Sequence, residues 1–156
     1  MNRLVLLWLP GLFLVTACAA SRQSAHDAWD VPLLASPNAS GGFAHATLLA
    51  EGKGTRVDLF FTAAGPQPTI PLHVYTFLYE GNCAQLPARA AFELNDRVLV
   101  RTVNGEIASS RRGAFTLSHA VELPLAELAT GRYALALRAA PADGGELLYC
   151  ANLQRA

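Results

Sequence analysis

Charge is scarce in this chain and evenly split. Lysine and arginine number 12, aspartate and glutamate 12, together 15 % of 156 residues, and neither sign forms a run. A nucleic-acid surface needs clustered positive charge, so no nucleic-acid partner is expected. Gln-rich, Ser-rich and acidic tracts are missing too, and with apolar residues at 52 % disorder over most of the chain is excluded. The length leaves no room for a second domain. Several catalytic signatures are absent: there is no Gly-x-Ser-x-Gly, no Walker loop, no His-Glu-x-x-His and no paired cysteine knuckle. Ser118 and His119 are neighbours on an expected strand and point to opposite faces, so they do not make a nucleophile and its base. Glu51, Asp58, Glu80, Glu93 and Glu122 are scattered, as on solvated strand faces and turns.

What is present begins with an N-terminal leader. Met1-Asn2-Arg3 supplies one positive charge, and Leu4 to Val15 is apolar except for Pro10-Gly11. The run is shorter than the roughly 20 residues that cross a bilayer, and Pro10-Gly11 would break a permanent helix, so residues 1–17 read as a signal peptide. Val15-Thr16-Ala17-Cys18 resembles the lipobox of bacterial lipoproteins, which implies acylation of Cys18 after cleavage. An ordinary secretory leader cut near Ala17 to Ala20 is the alternative. Ala19 after the cysteine, where inner-membrane lipoproteins of this kind carry Asp, points to the outer membrane facing the periplasm. Removing the leader removes Arg3 alone and leaves 11 basic against 12 acidic residues.

Residues 18–40 lack a sustained period and contain Ser21, Gln23, Ser24, Pro32 and Pro37, so they read as a lipidated cysteine and flexible tether on which Trp29 and Val31 to Leu34 can dock. Asn38-Ala39-Ser40 matches a glycosylation sequon, a signal with little weight in a bacterial lipoprotein. Residues 41–156 change texture, to short apolar runs punctuated by Gly, Pro and Asn. Phe43 to Glu51 and Thr55 to Ala63 form an expected hairpin about Gly52-Lys53-Gly54. Further strands are expected at Leu72 to Glu80, Ala91 to Val103 with a bend at Asn95-Asp96, Gly113 to Leu123, Arg132 to Ala140 and Glu146 to Leu153. Pro124 to Gly131 reads as one short helical turn. The fold class is all-β, a Greek-key β-sandwich or barrel of about seven to eight antiparallel strands.

Within it, His73-Val-Tyr-Thr-Phe-Leu-Tyr-Glu-Gly-Asn-Cys83 puts His73, Tyr75, Phe77 and Tyr79 on one face. Glu80 to Cys83 resembles the end of the His-x-His-x-Gly-x-Cys strand in small bacterial proteins similar to copper/zinc superoxide dismutase and to the chordin-type domain. Phe92 to Asp96, Leu123 to Gly131, Tyr133 to Leu137 and Tyr149 to Leu153 resemble later segments of that family in the same order. The resemblance implies a Greek-key sandwich in which Cys83 pairs with Cys150. The pairing also follows from counting, since lipidation of Cys18 leaves two cysteines in an oxidising compartment.

In that family two histidines before Gly-x-Cys face inward and bind metal with histidines from later strands. Phe77 and Tyr79 stand in their places here, and Arg138 stands where the penultimate strand brings another. No catalytic residue and no cofactor are therefore expected. Phe77, Tyr79 and Arg138 should fill the vestigial metal pocket, with the guanidinium over a ring. The competing reading is a divergent periplasmic copper or zinc protein, or a dismutase-like enzyme, using His45, His73 and His119. Otherwise these histidines, like His26, are surface or edge residues. The reading as a whole is an envelope lipoprotein whose domain is a binding or structural module, its partners the membrane and an unknown envelope protein or small ligand.

Closing a loop of 67 residues by a Cys83–Cys150 bridge stabilises a fold by roughly 4 kcal/mol in the chain-entropy model. Mass spectrometry of native-envelope protein without reductant should find the two peptides linked; two alkylatable thiols would refute the bridge.

Overall fold

The computed structural model describes residues 28–155; the leader, Cys18, His26 and the first part of the expected tether lie outside the described residues. Nine strands make one curled antiparallel sheet, a half-barrel. They are β1 (Ala28–Ala35), β2 (Ala44–Glu51), β3 (Gly54–Ala63), β4 (Val74–Glu80), β5 (Phe92–Glu93), β6 (Arg101–Thr102), β7 (Arg112–Val121), β8 (Thr130–Ala139) and β9 (Leu147–Gln154). Their order across the sheet is β5-β4-β8-β9-β1-β2-β3-β7-β6. Neighbours such as β3 and β7, or β4 and β8, are distant in sequence, as Greek-key connections require.

Alternation builds the core. Ala44, Ala46 and Leu48 of β2, Val57, Leu59 and Phe61 of β3, and Phe115, Leu117 and Val121 of β7 are buried on one face. His45, Thr47, Asp58, Phe60, Thr116 and Ser118 take the other. The hairpin between β2 and β3 turns through Gly52 and Lys53, with φ of 60° at Gly52, a value costly for any residue with a Cβ. Tyr133, Leu135 and Leu137 of β8 and Leu148, Tyr149 and Leu153 of β9 complete the interior. A register shift between the β8 pairs at Leu137 and Arg138 lets Leu148 and Tyr149, adjacent in β9, both enter that core. Gly42 is needed there, because a Cβ at this position would clash with the Tyr149 phenol oxygen and the Ala39 carbonyl.

Two expectations change. Residues 28–40 were expected to be tether, yet residues 28–35 are a strand at the centre of the sheet. β1 pairs with β2 from Ala28 to Leu33 and then with β9 at Leu34 and Ala35, so one strand serves both halves of the curl. Pro32, which has no N–H to give, falls in the stretch paired on one side only, the tolerated place for a strand proline. Val31 and Leu33 are buried beside it, while Pro32 and Pro37 mask the period in the sequence. The expected strand over Ala91 to Val103 is instead two short strands on opposite edges, β5 beside β4 and β6 beside β7. Between them the chain crosses from one edge to the other. The helical turn expected at 124–130 is present as α1 (Leu125–Leu128).

Leu33→Ala tests the position of β1. For a core leucine that is 5 % exposed the substitution should lower the unfolding free energy by about 2–4 kcal/mol in denaturant titration, whereas a tether residue would change it by less than about 0.5 kcal/mol.

Candidate functional site

The ring-bearing face of β4 looks away from the main core. Val74, Thr76 and Leu78 point inward, and His73, Tyr75, Phe77 and Tyr79 occupy the opposite face. The expectation that Phe77 and Tyr79 face inward is thus corrected: they join a second cluster on the outside of the sheet. Tyr79 packs there with Ala134, Ala136 and Cys150, against Phe77, Cys83, Leu86, Ala90 and Leu147. Small alanines at two positions of β8 leave room for the rings between sheet and loop.

The loop over this cluster is fixed at its start. Gly81 adopts φ of 135° and donates its N–H to Arg132 O. The side chain of Asn82 accepts from the N–H groups of Ala84 and Gln85, and Cys83 N donates to Asn152 Oδ1 at 2.8 Å. Cys83 is disulfide-bonded to Cys150 of β9, with Cα atoms 5.9 Å apart. Nearby, Arg132 meets Glu80 at 2.8 Å, an exposed pair that contributes little to stability.

Phe77, Tyr79 and Arg138 come together in this cluster. The two rings lie 6.0 Å apart, and the Arg138 guanidinium carbon is 5.8 Å from the Tyr79 centroid. Arg138 Nε donates to Tyr79 Oη at 3.2 Å and Nη1 to Gly145 O at 3.1 Å. Every polar group of this trio that lies within the cluster therefore has a partner.

The three histidines do not assemble. His45 on β2 lies on the outer face, stacked on Phe60 with centroids 5.2 Å apart. His73 lies on the outer face at the start of β4, bridged by backbone to Leu99. His119 points to the opposite, inner face, so one ion cannot take all three as ligands. No group of three or more His, Cys, Asp or Glu side chains fit to hold a metal occurs among the described residues.

His119, expected at a surface or edge, is buried at 6 % exposure. Its Nε2 shares a 3.0 Å hydrogen bond with Thr76 Oγ1 of β4, across the open side of the curl. Burial, opposed by Asp96 and reinforced by Arg97, lowers its pKa from 6.5 to about 4. Its placement was legible in principle, since it shares a period with Phe115, Leu117 and Val121; its partner, 43 residues away, was not. Ser118 turns outward and donates to Asp58 Oδ1 at 2.6 Å, while Arg56 Nε reaches Asp58 Oδ2 at 3.1 Å. Tyr149 is the other buried group whose pKa shifts: burial raises it, and its Oη accepts from Ala63 N at 3.1 Å. Both buried groups are wedged between strands, which makes them parts of the packing.

Sequence reading missed a groove on the outer face. It measures about 430 Å³ and runs between β2, β3, β7 and the crossing segment. Arg97 reaches it from that segment and Arg101 from β6, both within the stretch expected to be one strand bent at Asn95-Asp96. Comparison with protein-family models, with curated proteins and with solved structures finds no match.

A histidine held neutral by burial makes stability pH-dependent. The unfolded chain takes up a proton near pH 6.5 and the folded one only near 4, so stabilisation is complete above pH 6.5 and is lost as pH falls toward 4. The loss should reach about 3 kcal/mol in denaturant titrations at pH 7 and pH 4, and His119→Asn should flatten that part of the pH dependence.

Proposed function

We propose that this chain is a lipid-anchored protein of a bacterial cell envelope, held through Cys18 to the outer membrane and facing the periplasm. Its barrel is a non-catalytic binding or structural module on a superoxide-dismutase-like scaffold that has replaced its metal site by packed side chains. The observation that carries this reading is the Phe77–Tyr79–Arg138 cluster, in which rings and a guanidinium occupy the positions the resemblance gives to ligands. Their mutual contacts supply in packing and hydrogen bonding what a metal would supply by coordination.

Support for the anchor lies in Val15-Thr16-Ala17-Cys18 and in the disulfide, which suits an oxidising compartment. No helix among the described residues is long and apolar enough to cross a membrane. From Cys18 to the first residue of β1 is a step of ten residues, at most about 36 Å of extended chain, so an acylated Cys18 would hold the domain close to the lipid surface. Several acyl chains on one residue give firm attachment where a single chain is marginal.

Cys18→Ser tests the anchor. The variant should move from the membrane fraction to the soluble fraction on lysis, and it should lose incorporation of labelled fatty acid. Unchanged fractionation would contradict the proposal.

A further inference from the structure

Outward faces of antiparallel sheets are ordinarily polar, yet β2 and β3 present rings to solvent. Phe43, His45 and Phe60 form one contiguous group, with centroids 5.6 Å apart for Phe43 and His45, 6.3 Å for Phe43 and Phe60, and 5.2 Å for His45 and Phe60. Phe43 is 57 % exposed. The group leads into the groove of about 430 Å³, whose walls include His45, Phe60, Arg97, Arg101, Thr116 and Ser118. That volume is within the range of small-molecule sites.

The two cations are available. Arg97 is exposed and makes no hydrogen bond or ion pair among the described residues, and Arg101 commits only Nη1, to Gly105 O at 2.8 Å. The groove's one carboxylate, Asp58, is already met by Arg56 and Ser118. A guanidinium is planar and presents paired donors that fit a carboxylate or phosphate.

We propose that this groove binds an anionic saccharide, a sugar ring bearing a carboxylate or a phosphate. The rings cover the apolar C–H face of the sugar, Thr116 offers its hydroxyl and Ser118, whose O–H is given to Asp58, offers its oxygen as an acceptor to the sugar's hydroxyl groups, and Arg97 and Arg101 take the anion. A neutral sugar would leave the arginines without a counter-ion, and a bare inorganic anion would leave the rings uncovered. The inference rests on the reading of the domain as a binding module and adds the class of ligand. It does not depend on acylation, so failure of the fractionation test and failure of this one are separate results.

Saturation-transfer NMR on the full chain in detergent micelles provides the test, with glucuronate, glucose 6-phosphate, glucose, inorganic phosphate and adenosine monophosphate as probes. At least one of the two sugar acids should bind roughly tenfold or more tightly than glucose and phosphate, and which one binds tells carboxylate from phosphate. Arg97→Gln and Phe60→Leu should each weaken that binding by about tenfold while the thermal midpoint stays within a few degrees of the parent. Arg97 holds no other side chain in place, so its variant remains informative even if Phe60→Leu unfolds. Absence of binding by both sugar acids up to about 10 mM, binding of the nucleotide alone, or an Arg97→Gln protein that binds like the parent would overturn the proposal.

Discussion

A sheet that curls without closing has two edges that face each other, and this molecule depends on what lies between them. The segment from Leu94 to Ala108 fills that gap with backbone hydrogen bonds. Leu94 N donates to Thr76 O, Val74 N to Val98 O, and Val100 N to Leu72 O, while Leu72 N reaches Ala108 O. Asn95 adds a side-chain acceptor for Thr76 N at 3.0 Å. The β4 edge is thereby satisfied without a full neighbouring strand, which removes the exposed ladder that would invite pairing with another chain. The His119–Thr76 bond lies inside the same gap. It ties β7 to β4 directly, at a point where a water-accessible polar pair would weaken the core.

The two outer surfaces of the sheet have different fates. Over β4 and β8, the disulfide and the Asn82 turn hold a loop down on rings and alanines, so those side chains are buried on both faces of the sheet. Over β2, β3 and β7 only the edge of the crossing segment comes near among the described residues, and the rings and arginines stay accessible. One half of the outside is thus covered by its own loop, and the other leaves its side chains exposed.

Much of the fold was legible because most strands carry their own pattern. Val57, Leu59 and Phe61 alternate with Arg56, Asp58 and Phe60, and Gly52 announces the hairpin. β1 was hidden because Pro32 and Pro37 imitate a linker, although Val31 and Leu33 keep the period. The stretch from Ala91 to Val103 was misjudged for the opposite reason: Val98, Leu99 and Val100 look like strand residues, and only the tertiary arrangement sends Phe92-Glu93 to one edge and Arg101-Thr102 to the other. Of the candidate site, the association of Phe77, Tyr79 and Arg138 was expected from the resemblance, which places all three at ligand positions. The direction they face was not, since alternation separates two faces without saying which one meets the larger core. The groove was invisible for a similar reason: Arg97 and Arg101 reach His45 and Phe60 only through the crossing.

β1 leaves one further mark, on the order in which the molecule is completed. It is the earliest strand of the barrel to be synthesised and it pairs with β9, the latest, while Cys83 waits for Cys150 in that same final strand. The β4–β8 half of the sheet is therefore joined to the β1–β2–β3–β7 half only when β9 arrives, and contacts of such long sequence separation form slowly. The curl therefore stays open, with its two halves able to move apart, until its last strand is in place.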